Sequence, residues 1–141
     1  IGALFRSEKY RSVLDLTEKF RSKLEGQPDY YGWRAVSRFA LKEYGSAAIE
    51  FDKIRSQTPS QMSLHLIALA HMGDFAGVKS KARLYLRNAK ARDKIAANLR
   101  KLRVFEQVRR EPDFEQLLSG IEALPAPKPK PVPQPVVPVS P

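Results

Sequence analysis

The chain has no cysteine in 141 residues. That excludes disulfides and thiolate metal sites, and it suits any redox compartment. Histidine is nearly absent too. His65 and His71 are six residues apart, which sets them about 240° apart around a helix. They cannot share one metal on a regular helix. No window approaches 18 uninterrupted apolar residues, so no membrane-spanning helix is expected. No basic-then-apolar leader opens the chain, which starts at Ile1 rather than Met. Gly-rich phosphate loops, His-Glu-x-x-His and nucleophile elbows are missing, so no enzyme, cofactor or metal is expected. Glu111, Asp113 and Glu115 form a small acidic cluster at a predicted helix start. The helix macrodipole favours anions there, which explains the cluster without catalysis.

Basic charge is abundant. The formal net charge is +10. Between Lys79 and Arg110 lie twelve lysines and arginines against two acids, Asp93 and Glu106. The rest of the chain balances, so one stretch holds all of the excess. Such a stretch is either a solvated face or a patch for phosphates, acidic peptides or anionic surfaces.

Apolar periodicity predicts helices throughout. Val13, Leu14, Leu16, Phe20 and Leu24 fit one helix from Glu8 to Leu24, after a frayed helical end at Ala3–Phe5. Gly26-Gln27-Pro28-Asp29 stops it, with Asp29 as the next N-cap. A second helix carries Tyr30, Trp33, Val36, Phe39 and Tyr44, with a break at Gly45-Ser46. A third holds Ala47, Phe51 and Ile54. The fourth, from Ser60 to about Met72, is apolar nearly all round and reads as the central buried helix. Gly73-Asp74 is a turn before a fifth helix with Phe75, Val78, Ala82 and Tyr85. A sixth is expected from Ala91 to Val108, and a last short one from Pro112. Eight of the 11 prolines fall between Pro125 and Pro141. Proline at nearly every second position forbids helix and favours extended polyproline II. Two regions follow: a helical domain over 1–124 and a Pro-rich linker or tail over 125–141.

An aromatic followed three residues later by a small or β-branched residue recurs as Tyr10–Val13, Tyr44–Ala47 and Phe75–Val78. The successive offsets are 34 and 31 residues. A period near 34 with helical patterning points to stacked helix pairs. Trp33 to Pro59, with Trp33, Tyr44, Ala47, Phe51 and Pro59 in the marked roles, resembles a tetratricopeptide repeat. Gly73, Asp74 and Phe75 match the turn of a second unit. Tyr10, Val13 and Phe20 match the second helix of a partial unit at the front. Ala35 and Ser37 straddle the expected small position, and the last offset is short, as in divergent repeats. The resemblance covers roughly residues 1–124. It implies an all-α antiparallel helix-pair superhelix, a tetratricopeptide-like α-solenoid with an extended Pro-rich C-terminal tail. It also implies a concave groove that holds peptides, and a longer array to which this chain belongs.

Candidate contacts follow. Lys79, Arg83 and Arg87 recur at i, i+4 and i+8, one stripe along the fifth helix. Lys94 and Lys101 share a face of the sixth, with Arg100 nearby. Together they are expected to form one patch for a protein partner, an acidic or extended segment. Nucleic acid is the lesser alternative, because Phe75, Tyr85 and Phe105 sit at core spacing and leave no aromatics for base stacking. Arg34 and Arg38, on one side of the second helix, are expected to face the groove. Tyr10, Trp33, Tyr44, Phe51 and Phe75 are read as core, His65 as buried or at a helix interface, and His71 as near a turn. The expected function is a non-catalytic scaffold or adaptor for complex assembly, with self-association of the front half repeat as a further possibility. The alternating tail resembles stiff spacers of bacterial envelope proteins, which tilts the expected location toward envelope or periplasm. Its PxxP frames also suit an SH3-type ligand.

Overall fold

A computed structural model describes residues 1–122, and side-chain environments through Ser119. Among these residues the fold is entirely helical, with neighbouring helices packed on one another. The order is α1 (Gly2–Arg6), α2 (Tyr10–Lys19), α3 (Arg21–Leu24), α4 (Tyr30–Ala40), α5 (Tyr44–Asp52), α6 (Pro59–His71), α7 (Phe75–Tyr85), α8 (Arg92–Lys101), a 3₁₀ turn (Arg103–Phe105), α9 (Glu106–Arg109) and α10 (Phe114–Glu122). The expected Pro-rich segment 125–141 lies outside the described residues.

The connections are set by local chemistry. Helix α6 starts on a capping box. The Thr58 hydroxyl accepts from the Gln61 N–H at 3.1 Å, and Gln61 Oε1 accepts from the Thr58 N–H at 2.9 Å. Pro59 occupies the first helical position, where its missing N–H costs nothing. Its end is equally defined. Gly73 takes φ 74°, and the Asp74 N–H returns to the Leu69 carbonyl at 3.0 Å. Asp74 then caps α7 through the Gly77 N–H at 2.9 Å. A Cβ on residue 77 would lie 2.4 Å from Asp74 Oδ2, so a larger residue there would force the capping carboxylate to turn.

Three sequence expectations change. The break expected at Gly45-Ser46 falls earlier, at 41–43, and both residues lie inside α5. Lys42 adopts φ 62°, with the Glu43 N–H on the Arg38 carbonyl at 2.9 Å, so lysine fills the left-handed position glycine usually takes. The first long helix divides at Phe20 into α2 and α3. The helix expected from Ala91 to Val108 stops at Lys101, because Leu102 is extended at ψ 135°. Arg109 folds back there and donates to the Leu99 and Leu102 carbonyls at 2.7 and 2.8 Å, satisfying the end of α8. Asp29 does stand at the N-cap of α4, but its side chain accepts no capping hydrogen bond.

The larger core lies in the C-terminal half. Leu66 of α6 packs with Val78, Leu86, Ile95, Leu99, Phe105, Val108 and Leu118, all essentially unexposed. Each such aliphatic side chain contributes about 1.5–3 kcal/mol relative to exposure. A smaller cluster joins Ala35 of α4 to Ala47 and Phe51 of α5. Of the five aromatics read as core, Phe51 is fully buried, while Tyr10, Trp33, Tyr44 and Phe75 are half-buried. Tyr30 and Tyr85 hold the deeper aromatic positions. His65 is fully buried, and His71 ends α6, stacked on Tyr44 with ring centroids 4.2 Å apart.

Candidate interaction surfaces

Arg34 is not on a groove. It is buried between α2, α4 and α5, only 6% exposed. Its Nε meets Glu50 Oε1 at 2.6 Å, and its Nη1 donates to Thr17 Oγ1 at 2.9 Å. Glu18 approaches the same nitrogen at 3.4 Å, and the guanidinium lies 5.7 Å from the Tyr30 ring centre. Arg38, one turn on, donates through Nε to the other Glu50 oxygen at 3.1 Å and meets Glu43 at 3.7 Å. The two arginines clamp one carboxylate. Their i, i+4 spacing puts both toward α5, where Glu50 supplies the counter-charge. Arg34, expected to face a groove, is instead enclosed and paired inside the fold, while the half-buried Arg38 shares its carboxylate.

The basic stretch is divided rather than continuous. Lys79 is held by Glu111 and by Asp113 at 3.3 Å, and its ammonium is pushed to a higher pKa, chiefly by the hydrogen bond to Glu111. Arg83 reaches the same Asp113 at 4.0 Å. The structure thus brings Lys79 and Arg83 together, against the acidic turn before α10. Lys94 points elsewhere, donating to Ser60 on α6 at 3.1 Å. Lys81 pairs with Asp52 at 2.6 Å, Arg92 donates to the Leu86 carbonyl at 3.1 Å, and Arg110 pairs with Glu106 at 3.0 Å. With Arg109 and Lys94, seven of the twelve bases have partners inside the fold, so the net charge of the stretch overstates its binding surface. Arg87, Lys90, Lys101 and Arg103 are exposed and carry no ion pair among the described residues. Arg100 is also exposed.

A polar cluster that the sequence did not mark sits beneath α7. His65 Nδ1 lies 2.7 Å from the Tyr85 hydroxyl, while Nε2 has no hydrogen-bond partner and stands 3.8 Å from Asp52. Burial pushes the His65 pKa down to about 4, despite Asp52, and Lys81 adds to the lowering. Burial also pushes Tyr85 up to about 12. Both rings are neutral at pH 7 and serve as hydrogen-bonding and packing groups. Gln57, at the edge of this cluster, donates to the Phe51 carbonyl at 2.6 Å, but its buried Oε1 has no donor. The only sequence sign was a histidine on an otherwise apolar helix.

Among the described residues, no group of three His, Cys, Asp or Glu could hold a metal, and no helix is long and apolar enough to cross a membrane. No protein-family model matches the chain, and neither a curated protein nor a solved structure matches it.

Proposed function

We propose that this chain is a tetratricopeptide-type array of helix pairs that acts as a non-catalytic scaffold, binding an acidic or extended segment of a protein partner during complex assembly. The observation that carries this reading is the set of exposed bases left over after internal pairing: Arg87, Lys90, Lys101 and Arg103. Short turns at 41–43 and 72–74 join consecutive helices, which favours antiparallel pairs and a rigid frame for such charges. The same bases suit a phosphate backbone, so nucleic acid is the competing ligand.

Capture from a lysate, with and without nuclease and read by mass spectrometry, separates the two. A defined protein set that survives nuclease and is lost on combined R87E, K101E and R103E reversal is the expected result. Loss of all captured protein on nuclease treatment would overturn the protein-scaffold reading. A constant monomer mass in light scattering over a wide concentration range would sink self-association.

A further inference from the structure

Between the α5–α6 loop and the last turns of α7 lies a cleft of about 320 Å³. Its apolar wall is Ile54, Met62 and Leu84. Leu84 is 59% exposed, so its side chain is open to a partner at the rim of the cleft. Its polar wall includes Gln57, whose buried Oε1 lacks a donor. Asn88 and Gln57 also line an adjoining cleft that ends at Lys90, so the depression continues along this edge of the helices.

Charge selects the occupant. Arg55, Lys81 and Lys90 line the two clefts against a single acid, Asp52, which Lys81 already pairs. Arg55 and Lys90 are exposed and have no ion pair among the described residues. A basic segment would meet net repulsion here, and a purely apolar one would leave the two cations without counter-charge.

We infer that this edge cleft, rather than the face of α4, docks an extended acidic segment of a protein partner through one aliphatic side chain. The aliphatic residue covers Leu84 and Met62. Flanking carboxylates meet Arg55 and Lys90. This inference rests on the protein-scaffold reading and gives that reading a location and a sequence preference.

The test is fluorescence anisotropy on the full chain with four labelled probes. They are an octapeptide of Asp and Glu with one central Leu, the same peptide with Ser for Leu, its Lys-substituted counterpart, and a single-stranded oligouridine. The acidic Leu peptide is expected to bind tightest, with about a tenfold loss for the Ser version and no binding of the basic one. Arg55→Glu and Leu84→Ser should each weaken it about tenfold, while Lys23→Glu, on an exposed face of α3 outside the cleft, changes it about twofold or less. Both substituted side chains are exposed, and unchanged circular dichroism verifies that the variants fold. Equal affinity for the Leu and Ser peptides would overturn the cleft, as would equal effects of Arg55→Glu and Lys23→Glu. So would absence of acidic-peptide binding, or tightest binding of oligouridine. If the cleft fails while nuclease-resistant capture of a protein set persists, the scaffold reading stands without it. If capture fails as well, both fall.

Discussion

The two halves of this domain are held together differently. Among the described residues six polar or charged side chains are buried, and four of them lie in α2, α4 and α5: Thr17, Arg34, Ser37 and Glu50. The C-terminal half, from α6 onward, is built around an apolar cluster that takes in Ala48 of α5 and runs from Met62 to Leu118, with Ser63 and His65 as its buried polar groups among the described residues. The first half therefore depends on one satisfied carboxylate, the second on area removed from water. A buried ion pair adds little net stability over an apolar replacement, but losing one partner leaves a charge stranded. The halves should consequently fail in different ways.

The largest effects make that contrast measurable. Glu50→Ala strands Arg34 in the interior and should cost about 3–5 kcal/mol in urea unfolding. Phe105→Ala empties a fully buried site in the other half and should cost a similar amount, about 3–5 kcal/mol. The remedies differ. Replacing Arg34 and Glu50 together by leucine should recover most of the first loss, because the buried arginine leaves with its acid and the half-buried Arg38 keeps Glu43 at 3.7 Å. If the double variant is as unstable as Glu50→Ala, the stranded-charge account is wrong.

Acid sharpens the comparison next. His65 has an ordinary value of 6.5 and about 4 in the fold, lowered mainly by burial. Between those values the unfolded chain takes up the proton and the folded chain does not. Stability from this group is thus complete above about pH 6.5 and declines as pH falls toward 4. Urea midpoints against pH for the wild type and His65→Gln should diverge in that window; parallel curves would refute it.

Smaller changes address single contacts. Thr58→Ala removes the hydroxyl half of the α6 capping box and should cost about 1 kcal/mol. Ser37 buries its hydroxyl without a partner in the middle of α4, so Ser37→Ala should be neutral or stabilise by about 0.5 kcal/mol. A clear loss of melting temperature in that variant would mean the hydroxyl is satisfied in solution.

How far the sequence was legible depended on whether a local signal existed. Gly73-Asp74 and Thr58-Pro59 carry turn and cap chemistry, and the structure places helix ends there. The turn at Lys42 has no such chemistry. A lysine at positive φ is held by the return hydrogen bond of Glu43 and by packing on either side, which no local pattern encodes. The stop at Leu102 was hidden for the opposite reason. Ile95, Leu99, Leu102 and Phe105 keep helical spacing through it, since the folded-back 3₁₀ turn also presents apolar side chains to α6. Arg34 was misplaced because a charged residue reads as exposed unless its counter-charge is known, and Glu50 is sixteen residues away. The basic stretch was visible as composition. Its division into internally paired and outward bases depended on tertiary contacts such as Lys79 with Glu111 and Lys81 with Asp52. Gln57 and Leu84, which line the cleft, have no sequence mark at all.

The most direct test of this two-part account is native-state hydrogen exchange on Glu50→Gln, which keeps the shape of the side chain and removes its charge. Protection should fall sharply for amides of α2, α4 and α5 while those of α7, α8 and α10 stay close to wild type. An even loss across all helices, or no loss in α2 and α4, would contradict it.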